Sequence, residues 1–593
     1  METAWADRLA GRIRDYVLRA GEVLVGRFMP ELQVPRWLAG YAIPREQGIE
    51  LVWLLGHLRW LGVDRFAGLP VDAAVARLLE QVDGRATETF LSYRVGEAVL
   101  EWGPFAGNEL LARLSAEQVE QVRLAVDSTH IVDQWGKPLG GRPNNYWCVL
   151  ARCEHARWRL GLLAEPRDDG SAGDALYRRA LTQAGRLLRR NPLGFFDDRD
   201  RGTFDIYSAD VQVFCHPLAA ELDALDPAEG GGRPCRDLLA AHVRLAERIG
   251  MENGASVCWG RSTGALSVCI TMELFSLGLL EGVVSDTSTA LGRIEHAFEQ
   301  FDRWMSDGLT SAHRGRAADS YRGPVRLLQM SVDLLGKLAE TARTLRMFAA
   351  GLTAESAAQS PAGSACPEPA VDGGTGSADG AAPEELFAAR DEWISFGDRT
   401  AGVWIYRSPD PAGWRFQLAV TAHPANSDYV AWPRCPGVLD NPACSEHLCG
   451  VPRVLWSAHA GCSYAPLDLP AEICHEPGAL RLRFEQLQRA AGKEGPETVA
   501  ARREVCWRVV EPGRLVCEER LLFEQVPQAV YICIPESGQR LSVELVQGSG
   551  RVCVVEVLGI PAWLGVWGEN RRVHELHLVP AREMRFTYAI ALG

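Results

Sequence analysis

The chain changes its period once. From Ala4 to about Ala350 apolar residues recur at helical spacing, as at Leu9, Ile13, Val17 and Leu24. From Asp391 onward the spacing shortens to two. Val403-Trp-Ile-Tyr-Arg, Trp414-Arg-Phe-Gln-Leu-Ala-Val, Val530-Tyr-Ile-Cys-Ile, Leu541-Ser-Val-Glu-Leu-Val and Val552-Cys-Val-Val-Glu-Val read as strands. Glu504 to Leu521 continues that pattern. Pro411-Ala-Gly, Glu511-Pro-Gly and Gln547-Gly-Ser-Gly supply the turns. Between the two regimes, Gly351 to Ala389 is rich in Ala, Gly, Ser, Pro and acidic residues and holds no Lys or Arg. Such a segment cannot bury much apolar surface, so a disordered linker is expected there.

The helical part reads as about a dozen helices. They are expected near Ala4–Leu24, Gln47–Leu61, Asp72–Val82, Thr87–Glu101 and, briefly, Asn108–Leu114. Ser115, with Glu117 and Gln118 behind it, is a plausible N-cap for a helix through Asp133. The turn Gly141 to Trp147 opens a helix through about Arg157. Further helices are expected at Gly173–Arg190, Ala209–Leu225, Cys235–Met251, Gly264–Glu281, Ser288–Ser306 and Val325–Ala350. Antiparallel pairing is the economical way to assemble such a series. The domains expected are 1–350, helical, then the linker 351–389, then an antiparallel β-sandwich over 390–593.

Composition narrows function. The 593 residues are 47% hydrophobic, ample for large cores. The net charge of -14 argues against sequence-blind nucleic-acid binding, which needs a basic face. An anionic sugar stays possible, because a few Arg residues can grip a carboxylate. No apolar run reaches the roughly 20 residues of a membrane span. The charged N-terminus lacks a secretory apolar core, so a cytoplasmic protein is expected. The 16 cysteines follow no framework and should be reduced. The densest set, Cys435, Cys444, Cys449, Cys462 and Cys474 with His447, His459 and His475, offers one close pair and no second. It reads as isolated small core residues rather than a zinc site, and no metal or cofactor is expected.

Four clusters could carry chemistry. The first is Asn144-Asn145-Tyr146-Trp147: the amides either cap a helix or bind sugar hydroxyls, with Trp147 offering a ring face. The second runs from Phe196 to Pro217 and holds Asp197, Asp198, Asp205, Tyr207, Asp210 and His216. Tyr207 and His216 are nine residues apart, two and a half helical turns, and would face opposite sides of a straight helix. Tyr207 and Asp205 are therefore preferred as catalytic groups over His216. The third is Trp259-Gly-Arg261-Ser-Thr-Gly, preceded by Glu252, where Arg261 either holds a substrate carboxylate or pairs with neighbouring acids. It lacks the lysine and glycine spacing of a phosphate loop. The fourth, His313 to Pro324, gathers His313, three Arg and Tyr321 in a basic loop, either an anion contact or a solvated turn.

In this order the motifs Asn144-Asn-Tyr-Trp, Phe204-Asp-Ile-Tyr-Ser with His216-Pro217, and Gly260-Arg-Ser resemble a bacterial family catalogued as a domain of unknown function. Trp414-Arg-Phe-Gln-Leu, Ser427-Asp-Tyr-Val-Ala-Trp-Pro-Arg-Cys-Pro-Gly-Val-Leu and Val451-Pro-Arg extend the likeness, which spans roughly Glu46 to Pro452. The resemblance implies an N-terminal (α/α) toroid of about six helical hairpins followed by a β-domain. That architecture is similar to heparinase-like and alginate-type polysaccharide lyases and to toroid glucuronidases. It implies an enzyme acting on uronate-containing oligosaccharides. No histidine matches the usual lyase catalytic histidine.

Three readings follow. In β-elimination, Asn145 and Arg261 neutralise the uronate carboxylate and Tyr207 serves as acid or base. In hydrolysis, Asp205 pairs with Asp210 or Glu252 across the glycosidic bond. In the third, the protein binds glycans without cleaving them. Asn144, Asn145, Trp147, Asp210, Glu252, Trp259, Arg261, His313 and Tyr321 are the expected substrate contacts.

Overall fold

A computed structural model describes residues 1–38, 40–44, 46–84, 89–128, 145–163, 172–189, 206–249, 265–302, 305–306, 309–310, 326–351, 390–396, 398–407, 415–420, 452–455, 463–464, 472–484, 501–511, 513–537, 541–556, 563–565 and 568–592. Gly351 aside, the stretch expected to be a linker lies outside them. Helices run to Ala349 and strands resume at Arg390.

The helices are α1 (Glu2–Phe28), α2 (Glu46–Ile49), α3 (Leu51–Trp60), α4 (Val71–Leu79), α5 (Thr89–Leu100), α6 (Ala116–Ala125), α7 (Asn145–Arg159), α8 (Ala175–Arg189), α9 (Ile206–Cys215), α10 (Ala219–Asp223), α11 (Cys235–Ile249), α12 (Ala265–Leu280), α13 (Thr287–Phe301) and α14 (Leu327–Ala349). Six of them form a closed inner ring: α3 packs on α5, α5 on α7, α7 on α9, α9 on α12, α12 on α14, and α14 back on α3. Outside it, α4 lies on α3, α6 on α5, α8 on α7, α11 and α13 on α12, and α1 on α14. The first helix thus packs on the last, and the helical part is an (α/α) toroid.

The sequence explains the two layers. The outer helices α8 and α11 bury one stripe, such as Tyr177, Ala180, Leu181, Ala184, Leu187 and Leu188. Inner helix α12 is apolar all round and buried from Ala265 to Leu279. The same level of each inner helix faces the same level of its neighbours. Glu50 meets Gln329 and Trp53 meets Gly336; Arg94 meets Asp333 and Glu101 meets Arg343; Cys269 meets Leu334 and Glu273 meets Lys337. Partners rise together along both helices of each pair, so the inner helices run in one direction and start at one end of the ring.

Four expectations need correction. The helix after Ser115 keeps its cap: Ser115 accepts from the Gln118 backbone at 3.2 Å and Gln118 returns the bond at 2.9 Å. It stops at Ala125 rather than running toward Asp133, where the buried Ser92 hydroxyl donates to the Ala125 carbonyl at 2.7 Å. The short helix over Asn108–Leu114 is one tight turn, Leu111–Arg113, because the Asn108 side chain accepts from the Leu110 and Leu111 amides. The helix expected from Ala209 to Leu225 is two, α9 and α10. Pro217 lacks the N–H that would continue α9. The helix expected to Ser306 ends at Phe301, and Met305–Ser306 (β5) pairs with Leu309–Thr310 (β6) instead.

Two-residue strands β1 (Trp37–Leu38) with β2 (Tyr41–Ala42), and β3 (Arg65–Phe66) with β4 (Leu69–Pro70), form hairpins on the ring. The β-domain holds β7 (Arg390–Phe396), β8 (Asp398–Arg407), β9 (Arg415–Val420), β10 (Arg453–Leu455), β11 (Ser463–Tyr464), β12 (Glu472–Glu476), β13 (Ala479–Phe484), β14 (Ala501–Glu511), β15 (Arg514–Phe523), β16 (Ala529–Ser537), β17 (Leu541–Gln547), β18 (Gly550–Glu556), β19 (Trp563–Gly565), β20 (Gly568–Leu578) and β21 (Glu583–Leu592). One antiparallel sheet is ordered β12-β13-β14-β15-β21-β17. The other is β11-β10-β16-β20-β18, with β19 also on β20. Alternate residues of both, among them Leu480, Trp507, Leu521, Ile532 and Leu576, share one core, so the sheets form a sandwich. The small sheet β7-β8-β9 joins the halves: Ile394 and Ile405 enter the helical core, and Trp404 enters the sandwich core.

Candidate functional site

The four candidate clusters share a position in the topology. Each immediately precedes or opens an inner helix: Asn144-Asn145 at α7, Asp205 and Tyr207 at α9, Trp259 to Gly264 at α12, and His313 to Pro324 before α14. All four helices start at the same end of the ring. Asn144, Asp205, Glu252, Trp259, Arg261, His313 and Tyr321 lie outside the described residues, as do Asp197 and Asp198. So do Cys435, Cys444, Cys449 and Cys462; Cys474, read from sequence as a core residue, is exposed on edge strand β12.

Asn145 is half-buried at the first position of α7, and the Tyr207 backbone lies in the first turn of α9, the next helix round the ring. Trp147 is buried, with the Arg179 guanidinium 5.1 Å from its ring centroid. Asp210, one turn beyond Tyr207, points into the ring. His216 lies past the far end of α9, where its Nε2 is 3.0 Å from Glu281 Oε1 just after α12. The structure thus puts the length of α9 between His216 and Tyr207, about 13 Å at 1.5 Å per residue.

The ring interior is charged, and sequence reading passed over it. Lys337 on α14 binds Asp210 of α9 at 3.3 Å and Glu273 of α12 at 3.0 Å. Arg94 on α5 binds Glu50, ahead of α3, at 2.7 Å and also Asp333 of α14. Arg152 on α7 holds Glu97 of α5 with two bonds, 2.6 and 2.9 Å, and Glu340 of α14 at 2.8 Å. Three cations bridge six carboxyls, and every inner helix or its lead-in contributes. Arg343 adds a pair to Glu101. Aromatic faces line the same space: Arg94 stands 5.3 Å from the Trp53 ring and Arg152 4.7 Å from the Tyr93 ring. Trp53 donates to Glu97 at 3.0 Å and lies so close to Gly336 that a side chain there would collide with its indole.

These surroundings move proton affinities. Burial raises the Glu273 carboxyl well above its usual range, and Lys337 only partly offsets this; Asp210 is raised for the same reasons. Burial also opposes ionisation of Glu340, yet Arg152 and its neighbours outweigh it and hold that carboxyl at about 2. His57, stacked edge-on to Trp53 at 4.9 Å, has no hydrogen-bond partner on either ring nitrogen among the described residues. Burial lowers it to about 3, so it is neutral at pH 7. The interior therefore works as a scaffold: it fixes the angular position of each inner helix, and with it the start of each helix. One sequence signal could have found it. Glu273 is the only charge in the apolar run of α12, and Lys337 stands among Val332, Leu334, Leu335 and Leu338; charges so placed need buried partners.

No protein-family model matches the chain, and no curated protein matches it. Among solved structures it is similar to the Heparinase III-BT4657 gene product at 11% identity and a TM-score of 0.27, covering 100% of this chain and 84% of that one. It is similar to Heparinase III at 10% identity and a TM-score of 0.29, covering 96% and 88%. It is also similar to a mutant of the heparan sulfate lyase HepC from Pedobacter heparinus, at 9% identity and a TM-score of 0.22, covering 88% and 77%. At these scores the assignment of toroid plus sandwich rests on the chain's own helix and strand contacts, a helical ring followed by antiparallel sheets.

Proposed function

We propose that the protein cleaves short uronate-containing oligosaccharides by β-elimination at the end of the ring where the inner helices start. One observation carries this reading. Four stretches far apart in sequence, each bearing amides, Arg, Tyr or His, lead into inner helices that begin at one end. Asn145 and Arg261 neutralise the substrate carboxylate, which acidifies the C5 proton. Tyr207 removes that proton or protonates the leaving oxygen. An adjacent guanidinium would lower the Tyr pKa toward a working range.

Hydrolysis by Asp205 with Asp210 is less well supported. Asp210 is buried and committed to Lys337, whereas a hydrolytic carboxyl must reach the glycosidic oxygen or its water. Glu252 is then the remaining partner for Asp205.

The test is absorbance of the unsaturated uronate while the protein is incubated with a panel of uronate oligosaccharides. A rising signal that Tyr207→Phe lowers at least a hundredfold is the expected result. Reducing ends released without that absorbance would replace elimination by hydrolysis.

A further inference from the structure

Hairpin β1–β2 presents an aromatic ring that the fold itself does not use. Trp37 is 67% exposed and has no ring or hydrogen-bond partner among the described residues. Among the described tryptophans it shares such exposure only with Trp158, which stacks on His155 at 5.6 Å and Tyr177 at 6.4 Å. An exposed indole forgoes about 2 kcal/mol or more of burial.

The hairpin holds this ring firmly. Leu38 and Ile43 are buried in the helical core, and the Ile43 amide donates to the Arg36 carbonyl at 3.0 Å. The two-residue link between the strands contains Gly40 at φ +85°, a conformation that suits glycine. Leu38 pairs with Tyr41, and Trp37 with Ala42. Cross-strand partners share a face, so Leu38 turns inward and Trp37 outward. Ala42 is too small to cover the indole. Tyr41 stands partly exposed at the tip, and exposed Arg36 precedes the ring.

The hairpin is also at the relevant end. Only residues 43–45 separate it from α2. Val34, just ahead of it, presses on Gly48 of α2, and Glu50 after α2 meets Gln329 at the start of α14. Trp37 is therefore mounted where the inner helices begin.

We propose that Trp37 is a sugar-stacking subsite on the rim of the ring, taking the apolar face of a pyranose several units from the bond that is cut. This rests on the proposed function, whose substrate it extends from one sugar to a chain. An indole face matches the apolar C–H face of a pyranose ring.

The experiment compares wild type with Trp37→Ala, Trp37→Phe and Trp158→Ala on uronate oligosaccharides of two to six sugars. Cleavage kinetics and retention in gels containing the matching polysaccharide are both read. Trp37→Ala is expected to raise KM about tenfold on the longer chains, equivalent to about 1.4 kcal/mol. It should leave kcat and the disaccharide unchanged and lose retention in the gel. Trp37→Phe should restore most of both, and Trp158→Ala should match wild type. Wild-type KM and retention in Trp37→Ala, with cleavage intact, would overturn the subsite and leave the function standing. A wild-type protein that neither cleaves nor is retained would overturn both.

Discussion

The toroid and the sandwich solve the same problem, a filled interior, in opposite ways. The sandwich closes on alternating apolar residues from two sheets. Among the described residues it buries one carboxylate–guanidinium pair, Arg503 with Glu519 at 2.8 and 3.0 Å, near Tyr588. The ring closes on charge. Its interior holds Lys337, Arg94 and Arg152 against six carboxyls from every side. Sheets facing each other leave a thin, evenly filled layer. Six helices round an axis leave a wider space whose filling must reach the centre from every helix, and long polar side chains do that. The lesson is that the ring should respond to pH and to single charge deletions more strongly than the sandwich.

The largest effect is expected at Lys337. Lys337→Met leaves Asp210 and Glu273 without their cation, and such a break costs about 3–5 kcal/mol. The carboxyls respond by keeping protons. Their folded pKa values are already raised, so their contribution is present at low pH and lost as pH rises above the ordinary carboxyl range. The variant should therefore lose helical signal at lower temperature at pH 7 than at pH 5. Circular dichroism at 222 nm across pH reads this, and a loss independent of pH would break the account. Next comes the sandwich pair. Arg503→Met alone should cost about 3–5 kcal/mol, but joined with Glu519→Leu most of that should return. Denaturant unfolding of the two variants and their double mutant checks it; a double mutant as weak as the single would give that pair the ring's kind of role.

The smallest effect sharpens the contrast. His57 is held near 3, while an unfolded imidazole takes up a proton near 6.5. The folded ring is therefore penalised as pH falls from about 6.5 toward 3, by up to about 1.4 kcal/mol per pH unit. His57→Asn should flatten the ring's stability against pH over that window. The measurement is the midpoint of helical melting at pH 6.5, 5.5 and 4.5 for both proteins, and parallel curves would show that His57 does not supply the slope.

Much of the fold was legible because local rules decide it. Ser115 with Gln118 fixed a cap, and the switch from spacing four to spacing two marked where helices give way to strands. Pro217 was equally visible, though the apolar pattern running through it hid the break between α9 and α10. The ring interior was not legible, since a salt bridge between residues 64 or 127 positions apart leaves no local signature. Asp210 shows the limit most clearly. In sequence it stands among candidate catalytic groups, yet its position on α9 turns it toward Lys337. Trp37 was missed for the opposite reason: an isolated aromatic in a short hairpin has no period to reveal it.

The common direction of the inner helices has a further consequence. Each helix carries a dipole equivalent to about half a positive charge at its start. The outer helices run the other way, with Asp72 of α4 at Arg59 near the end of α3 and Asp7 of α1 at Arg346 near the end of α14, so their negative ends come to the same rim and offset the six positive ones. What remains there is short-ranged: the first backbone N–H groups of six inner helices, without partners in their own helices, gathered at one rim. That set of donors is written in the topology, and no single side-chain substitution removes it.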